Sequence, residues 1–150
     1  MRDMILAHLR DAVPFASHVG IELLSMEEGE ATARLQERPH VLNHVATHHA
    51  GALFTLAETA SGAAMAGTFA PVLTSVRPVT ANASISYLRP ARGIITAAAR
   101  IDAPAETLLA TLHEKGKVQF RVDVTLRNEA GKNIATMNVD WNVSTLAPAA

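Results

Sequence analysis

The chain has 150 residues, 49% hydrophobic and 18% charged, which is the composition of a folded protein with a sizeable core rather than of a disordered or fibrous one. Thirteen basic side chains against fourteen acidic ones leave a net charge of -1, so there is no general electrostatic footprint for a nucleic-acid backbone and nucleic acid is not expected as a partner. The absence of cysteine removes disulfides, thiolate nucleophiles and thiolate metal sites together, and it fits a reducing compartment.

The opening residues, MRDMILAHLRDAVP, set Met4, Ile5, Leu6 and Leu9 at helical spacing and predict a short packing helix that ends before Pro14. Charges interrupt the apolar run that a secretory signal needs, so a cytoplasmic protein is expected. From Ile21 to Gln36 two apolar runs flank Glu27-Glu28-Gly29, and Ala31, Ala33 and Leu35 alternate with Thr32, Arg34 and Gln36, which predicts a hairpin. Residues 37–48 are polar and His-rich and form a loop. A long helix then runs from near His49 to about Phe69. Residues 50–76 hold a single charged side chain, Glu58, which raises the question of a membrane span. The many small and polar residues, Glu58 within the helix and Pro71 soon after Gly67 favour a buried helix with no membrane partner.

Beyond Pro71 the period becomes that of strands. Thr80 to Leu88 and Ile94 to Ile101 read as strands joined by the turn Arg89-Pro90-Ala91-Arg92-Gly93. Asp102, Pro104, the leucines at 108, 109 and 112, and Gly116 carry the cap, first-turn and stop signals of a short helix. Val118, Phe120, Val122, Val124 and Leu126 alternate with polar residues, as do Met137, Val139, Trp141 and Val143. The order is α+β: a hairpin, one long buried helix, then antiparallel strands whose curved sheet wraps the helix. Residues 1–150 read as a single domain, with a frayed tail at Pro148-Ala149-Ala150.

Chemistry points first to Glu58. A carboxylate in the middle of a helix of Ala, Gly, Leu, Thr and Ser costs stability unless it is paired, hydrated or useful; the plain alternative is a helix face that meets water there. The polar stretch Asn43 to Gly51 lies at the helix start, where the first amides lack internal partners. The amides of Ala50 and Gly51 could therefore face a developing oxyanion, although every helix has such an end and an ordinary capped terminus in a hydrated histidine loop would look the same. His49 and Glu58 are nine residues apart, about 13 Å along a helix and on opposite faces, so one chain cannot bring both to one carbon. A two-fold dimer with antiparallel helices would, and would create two equivalent sites.

The run HHAGALFTLAET resembles the His-Gly-Gly helix of hotdog-fold acyl-CoA thioesterases, the PaaI-like and 4-hydroxybenzoyl-CoA thioesterase relatives. SISYLRPARG is similar to the strand and turn after that helix, and NEAGKNIATMNVDW to the closing hairpin, so the resemblance covers most of the chain. It implies a hotdog fold, hydrolysis of an acyl-CoA or other acyl thioester, no cofactor, and a homo-oligomer that is at least a dimer, with a dimer of dimers left open. By position, Glu58 matches the catalytic carboxylate, as base or nucleophile; the Ala50 amide matches the group that polarises the thioester carbonyl; His49 matches the motif histidine; and Asn43 matches the residue that positions substrate or water. Gly51, Thr59, Thr80, Tyr87, Arg89 and Arg92 fall at substrate-binding positions, the two arginines in the turn that meets coenzyme A phosphates. Two solvated turn arginines would look the same. Ala50 departs from the family pattern by replacing the first Gly, which a role for the backbone amide alone tolerates.

Four other readings compete. Histidines at 40, 44, 48 and 49 invite a metal site, but Pro39 opposes a helix there, no HExxH occurs, and no metal is expected. A hotdog dehydratase pairs a His with an acidic residue on the same helix. A noncatalytic acyl-CoA binding module would bind without turnover. Serine-hydrolase chemistry lacks its G-x-S-x-G elbow.

Overall fold

The computed structural model describes residues 1–147. It contains four α-helices and six strands among those residues: α1 (Arg2–Ala12), α2 (Pro14–Val19), β1 (Glu22–Glu27), β2 (Glu30–Leu35), α3 (Ala50–Thr68), β3 (Val76–Tyr87), β4 (Ile95–Ile101), α4 (Ala105–Lys115), β5 (Lys117–Arg127) and β6 (Asn133–Thr145). The strands form one antiparallel sheet in the order β1-β2-β4-β5-β6-β3. It wraps around α3, the hotdog arrangement that the resemblance implies.

Residue size explains how the helix reaches the sheet. Ala31 and Ala33 of β2 stand opposite Ala99 and Ala97 of β4, a shallow floor on which α3 lies with its own buried Ala57, Ala60 and Ala64. Around it, β5 buries Val118, Phe120, Val122, Val124 and Leu126, and β6 buries Met137, Val139, Trp141 and Val143. Each large apolar side chain withdrawn from water here stabilises the fold by about 1.5–3 kcal/mol. The far end of α3 comes closer still: a Cβ on Gly67 would collide with the carbonyl oxygen of Glu27, and the neighbouring Thr68 hydroxyl accepts the Gly29 amide at 2.9 Å. Gly29 turns the β1–β2 hairpin with φ +76°.

The helices, the hairpin and the two closing strands lie where periodicity places them, with four corrections. α1 ends before Pro14 as expected, but Pro14 then opens a further helix, α2, at the position where proline's missing N–H costs nothing. In α1, Met4 points to solvent while Ile5, Leu6 and Leu9 lean on the core. β3 begins at Val76, earlier than the expected Thr80, because Pro78 sits on an edge strand where a missing donor is tolerated. Asp102 does not cap α4: Pro104 is the N-cap residue and no side chain bonds there, although Gly116 does stop the helix in the left-handed conformation at φ +74°. The tail Pro148-Ala149-Ala150, expected to fray, lies outside the described residues.

Cover of the long helix is incomplete. Gly51, Phe54, Thr55, Glu58, Thr59 and Gly62, spaced three and four apart on one face, are exposed or half-buried. No helix among the described residues is long and apolar enough to cross a membrane.

Candidate active site

Glu58 sits on this open stripe of α3, half-buried, and burial pushes its carboxyl above the usual carboxylate range. The Thr80 hydroxyl of β3 donates to its Oε1 at 3.1 Å, which pulls the other way without cancelling the effect. Behind it, the Ser61 hydroxyl donates to the Glu58 carbonyl at 2.7 Å and accepts from the Trp141 indole N–H at 3.1 Å. Since Trp141 pairs directly with Thr80 across β6 and β3, one cross-strand pair holds the Glu58 residue at its carboxylate and, through Ser61, at its backbone.

A bulge makes that possible. The β3–β6 register slips at Ala81, between Thr80 and Asn82. Thr80 and Tyr87 are seven residues apart and would face opposite ways on a regular strand, yet their partners Trp141 and Ala135 are both buried on the inner face. Both therefore face the helix, Thr80 reaching Glu58 and Tyr87 donating its hydroxyl to the Ala50 carbonyl at 2.9 Å. Alternation alone could not reveal this, because the inserted residue changes the phase of the strand.

At the helix start the expected pair of free amides becomes one. His49 is the N-cap, and its Nδ1 accepts the Gly51 amide at 2.8 Å, so Gly51 N–H is occupied by the cap and a neutral His49 ring carries its hydrogen on Nε2. The Ala50 amide has no acceptor among the described residues. Asn43 is fully engaged inside its own loop: its Oδ1 accepts from Val45 and Thr47 amides, and its Nδ2 donates to the Thr47 hydroxyl at 2.8 Å and the His48 carbonyl at 3.4 Å. It shapes the segment that delivers His49 and Ala50.

His48, one of the four histidines weighed as metal ligands, turns inward. Its backbone amide bonds Ala91 O at 2.9 Å and its Nε2 bonds Gly93 O at 2.7 Å, fastening the helix start to the Arg89–Gly93 turn. Nδ1 of this ring is a buried side-chain nitrogen without a partner among the described residues. A hollow of about 430 Å³ lies here, lined by Ala50, Leu53, Tyr87, Arg89 and Arg92 among others. Arg89 Nη1 donates to Asn133 O at 2.8 Å, which fixes its direction. Among the described residues no cluster of three or more His, Asp or Glu is arranged to hold an ion.

The structure thus gathers Asn43, His49, Ala50, Gly51, Tyr87, Arg89 and Arg92 at the start of α3, and Glu58, Thr59 and Thr80 farther along its open stripe. Glu58 lines neither hollow at the helix start.

This is a hotdog-fold protein, similar to the PaaI-like thioesterases. The chain belongs to the family described as Domain of unknown function (DUF4442), whose model matches residues 2–143. Among solved structures, a Pseudomonas aeruginosa protein of unknown function described as a probable thioesterase is 26% identical, with a TM-score of 0.85 and 96% of each chain covered. The Escherichia coli PaaI protein from the phenylacetic acid degradation operon is 26% identical at a TM-score of 0.69, over 93% of this chain and 96% of that one. A thioesterase family protein of Silicibacter pomeroyi, 16% identical over 97% of this chain and 100% of that one, shares the fold at a TM-score of 0.78. No curated protein matches the chain.

Proposed function

We propose that the protein is an acyl-CoA thioesterase, one catalytic domain working in the cytoplasm as a homodimer or a dimer of dimers. The observation that carries this reading is Glu58: a carboxylate held by Thr80 on the open stripe of α3, with its affinity for protons raised by burial, is suited to take a proton from water. As the water oxygen adds to the thioester carbon, its proton passes to Glu58 and negative charge gathers on the carbonyl oxygen, which the free Ala50 amide and the N-terminus of α3 receive. Collapse expels the thiolate, which takes the proton from Glu58. Direct attack by Glu58 would instead expel the thiolate and form a mixed anhydride, which water then hydrolyses; single turnover in ¹⁸O-water that leaves label in the Glu58 carboxylate identifies this route.

Helix spacing puts Ala50 and Glu58 about 12 Å apart, so the site combines the Ala50 amide of one subunit with Glu58 of another. Two surfaces support the pairing: the uncovered stripe of α3, and β3, a twelve-residue strand that among the described residues pairs only with β6 and leaves its other edge open. In the assembled site His49 caps the helix through the Gly51 amide and leaves the Ala50 amide free, Asn43 shapes the loop, Gly51 and Thr59 allow close approach, Thr80 sets the Glu58 carboxylate, Tyr87 braces the helix start, and Arg89 and Arg92 meet the phosphates of coenzyme A. The reading is tested with a panel of acyl-CoAs and detection of free thiol. Turnover by wild type that falls a hundredfold or so in Glu58→Gln is expected. Equal rates would overturn it, reversible hydration of a crotonyl thioester without thiol release would identify a dehydratase, and binding with no turnover in either protein would identify a noncatalytic module.

A further inference from the structure

A second hollow, of about 440 Å³, opens on the other side of the helix start and shares no residue with the first. The chain alternates between them: His48 and Ala50 line one, His49 and Gly51 the other. A thioester whose carbonyl oxygen meets the Ala50 amide therefore lies on the ridge between two recesses, with one arm available to each. The recess with Arg89 and Arg92 suits the phosphate-bearing arm. The other recess contains no Lys, Arg, Asp or Glu; Phe15, His18 and Val19 of α2 line it together with His40, His49 and Thr55.

We propose that this recess is the acyl subsite, that Phe15 and His18 set its selectivity, and that it takes a medium-sized apolar acyl group bearing a neutral oxygen substituent near the thioester. The proposal rests on the thioesterase reading above. Phe15 supports the apolar part: it is 65% exposed, an aromatic side chain with most of its surface open to a ligand. The oxygen is argued from the imidazoles. His49 spends Nδ1 on the Gly51 amide and so offers Nε2–H, next in sequence to the amide that holds the carbonyl. His40 spends its Nε2–H on the Val19 carbonyl at 3.3 Å. The His18 ring bonds to nothing among the described residues. A plain alkyl chain would strip water from the His18 and His49 donors and return nothing, whereas a hydroxyl or keto oxygen accepts from them. No Lys or Arg lines the recess to pair with a carboxylate.

The test compares kcat/KM of wild type, Phe15→Ala and His18→Ala on acetyl-CoA, hexanoyl-CoA and 3-hydroxyhexanoyl-CoA. Both side chains are exposed, so neither substitution removes core packing. Wild type is expected to prefer the hydroxylated six-carbon substrate; His18→Ala loses that preference, its ratio of hydroxylated to plain substrate falling toward one; and Phe15→Ala loses about tenfold on both six-carbon esters relative to acetyl-CoA. Unaltered substrate ratios in both variants overturn the proposal, as does a change of oligomeric state in Phe15→Ala with ratios intact, which would make the recess a contact between copies. If wild type releases thiol from none of the three, the thioesterase reading fails by itself. Calorimetric Kd values for the same esters then decide the subsite, by whether the variants reorder them.

Discussion

Thr80 on the edge strand β3 donates a hydrogen bond to the Glu58 carboxylate on α3 at 3.1 Å, and it is the side-chain bond among the described residues that bears on the ionisation of that group. Burial raises the carboxyl's affinity for its proton and Thr80 lowers it. Thr80→Val keeps the shape and removes the lowering contribution, so the acid limb of the kcat/KM profile, set by deprotonation of a general base, moves to higher pH. Thr80→Ser returns it. A profile that stays in place in the valine variant contradicts a base role for Glu58 under Thr80 control.

The same burial makes a prediction about stability. With its folded-state pKa raised above the unfolded value, Glu58 contributes stability that is fully present below the unfolded pKa and is lost as pH rises through the folded one. Above that range the charged group weighs against folding. Glu58→Gln is therefore expected to raise Tm over wild type at pH 8 while lowering turnover, with the Tm gain shrinking toward zero as pH falls to about 4. Calorimetry across that range checks it; a gain that is constant with pH would separate the stabilisation from ionisation.

Ala50→Pro replaces the backbone N–H by a ring methylene and so removes the donor. Proline is favoured at the first helical position, and the preceding residue, His49, already has φ -62° and ψ 140°, the extended geometry that a following proline demands. The variant should fold with a Tm close to wild type and lose on the order of a hundredfold in kcat if this amide holds the oxyanion. Retained turnover would remove Ala50 from the mechanism.

Packing at the far end of α3 is tested by Gly67→Ala, since the new methyl has no room beside the Glu27 carbonyl. The hairpin must shift, breaking the Gly29–Thr68 bond as it does, and urea unfolding should show a loss of about 1–3 kcal/mol or more.

How much of this was legible in the sequence follows from what each signal depends on. The strands β5 and β6, the long helix and Glu58 within it come from strictly local patterns, and all lie where the pattern puts them. The helix α2 did not, because Pro14 marks the start of a helix as readily as the end of one, and the surrounding residues offer no apolar period to decide. The bulge at Ala81 has no sequence signature of its own, so the shared direction of Thr80 and Tyr87 was hidden. Gly51 could be named as a free amide only while the His49 ring had no position; once it caps the helix, one donor remains. Phe15 and His18 reach the helix start from 30 residues away in sequence or more, a distance over which periodicity carries no information.

The central claim is that Ala50 and Glu58 of different subunits serve one carbon, and subunit complementation tests it most directly. Glu58→Gln and Ala50→Pro proteins, each nearly inactive alone, are mixed, dissociated and reassembled. In a mixed dimer one site joins an intact Ala50 amide to an intact Glu58, so the mixture is expected to recover up to about a quarter of wild-type activity, half the dimers being mixed and half their sites complete. A reassembled mixture no more active than its two components would contradict a site shared between subunits.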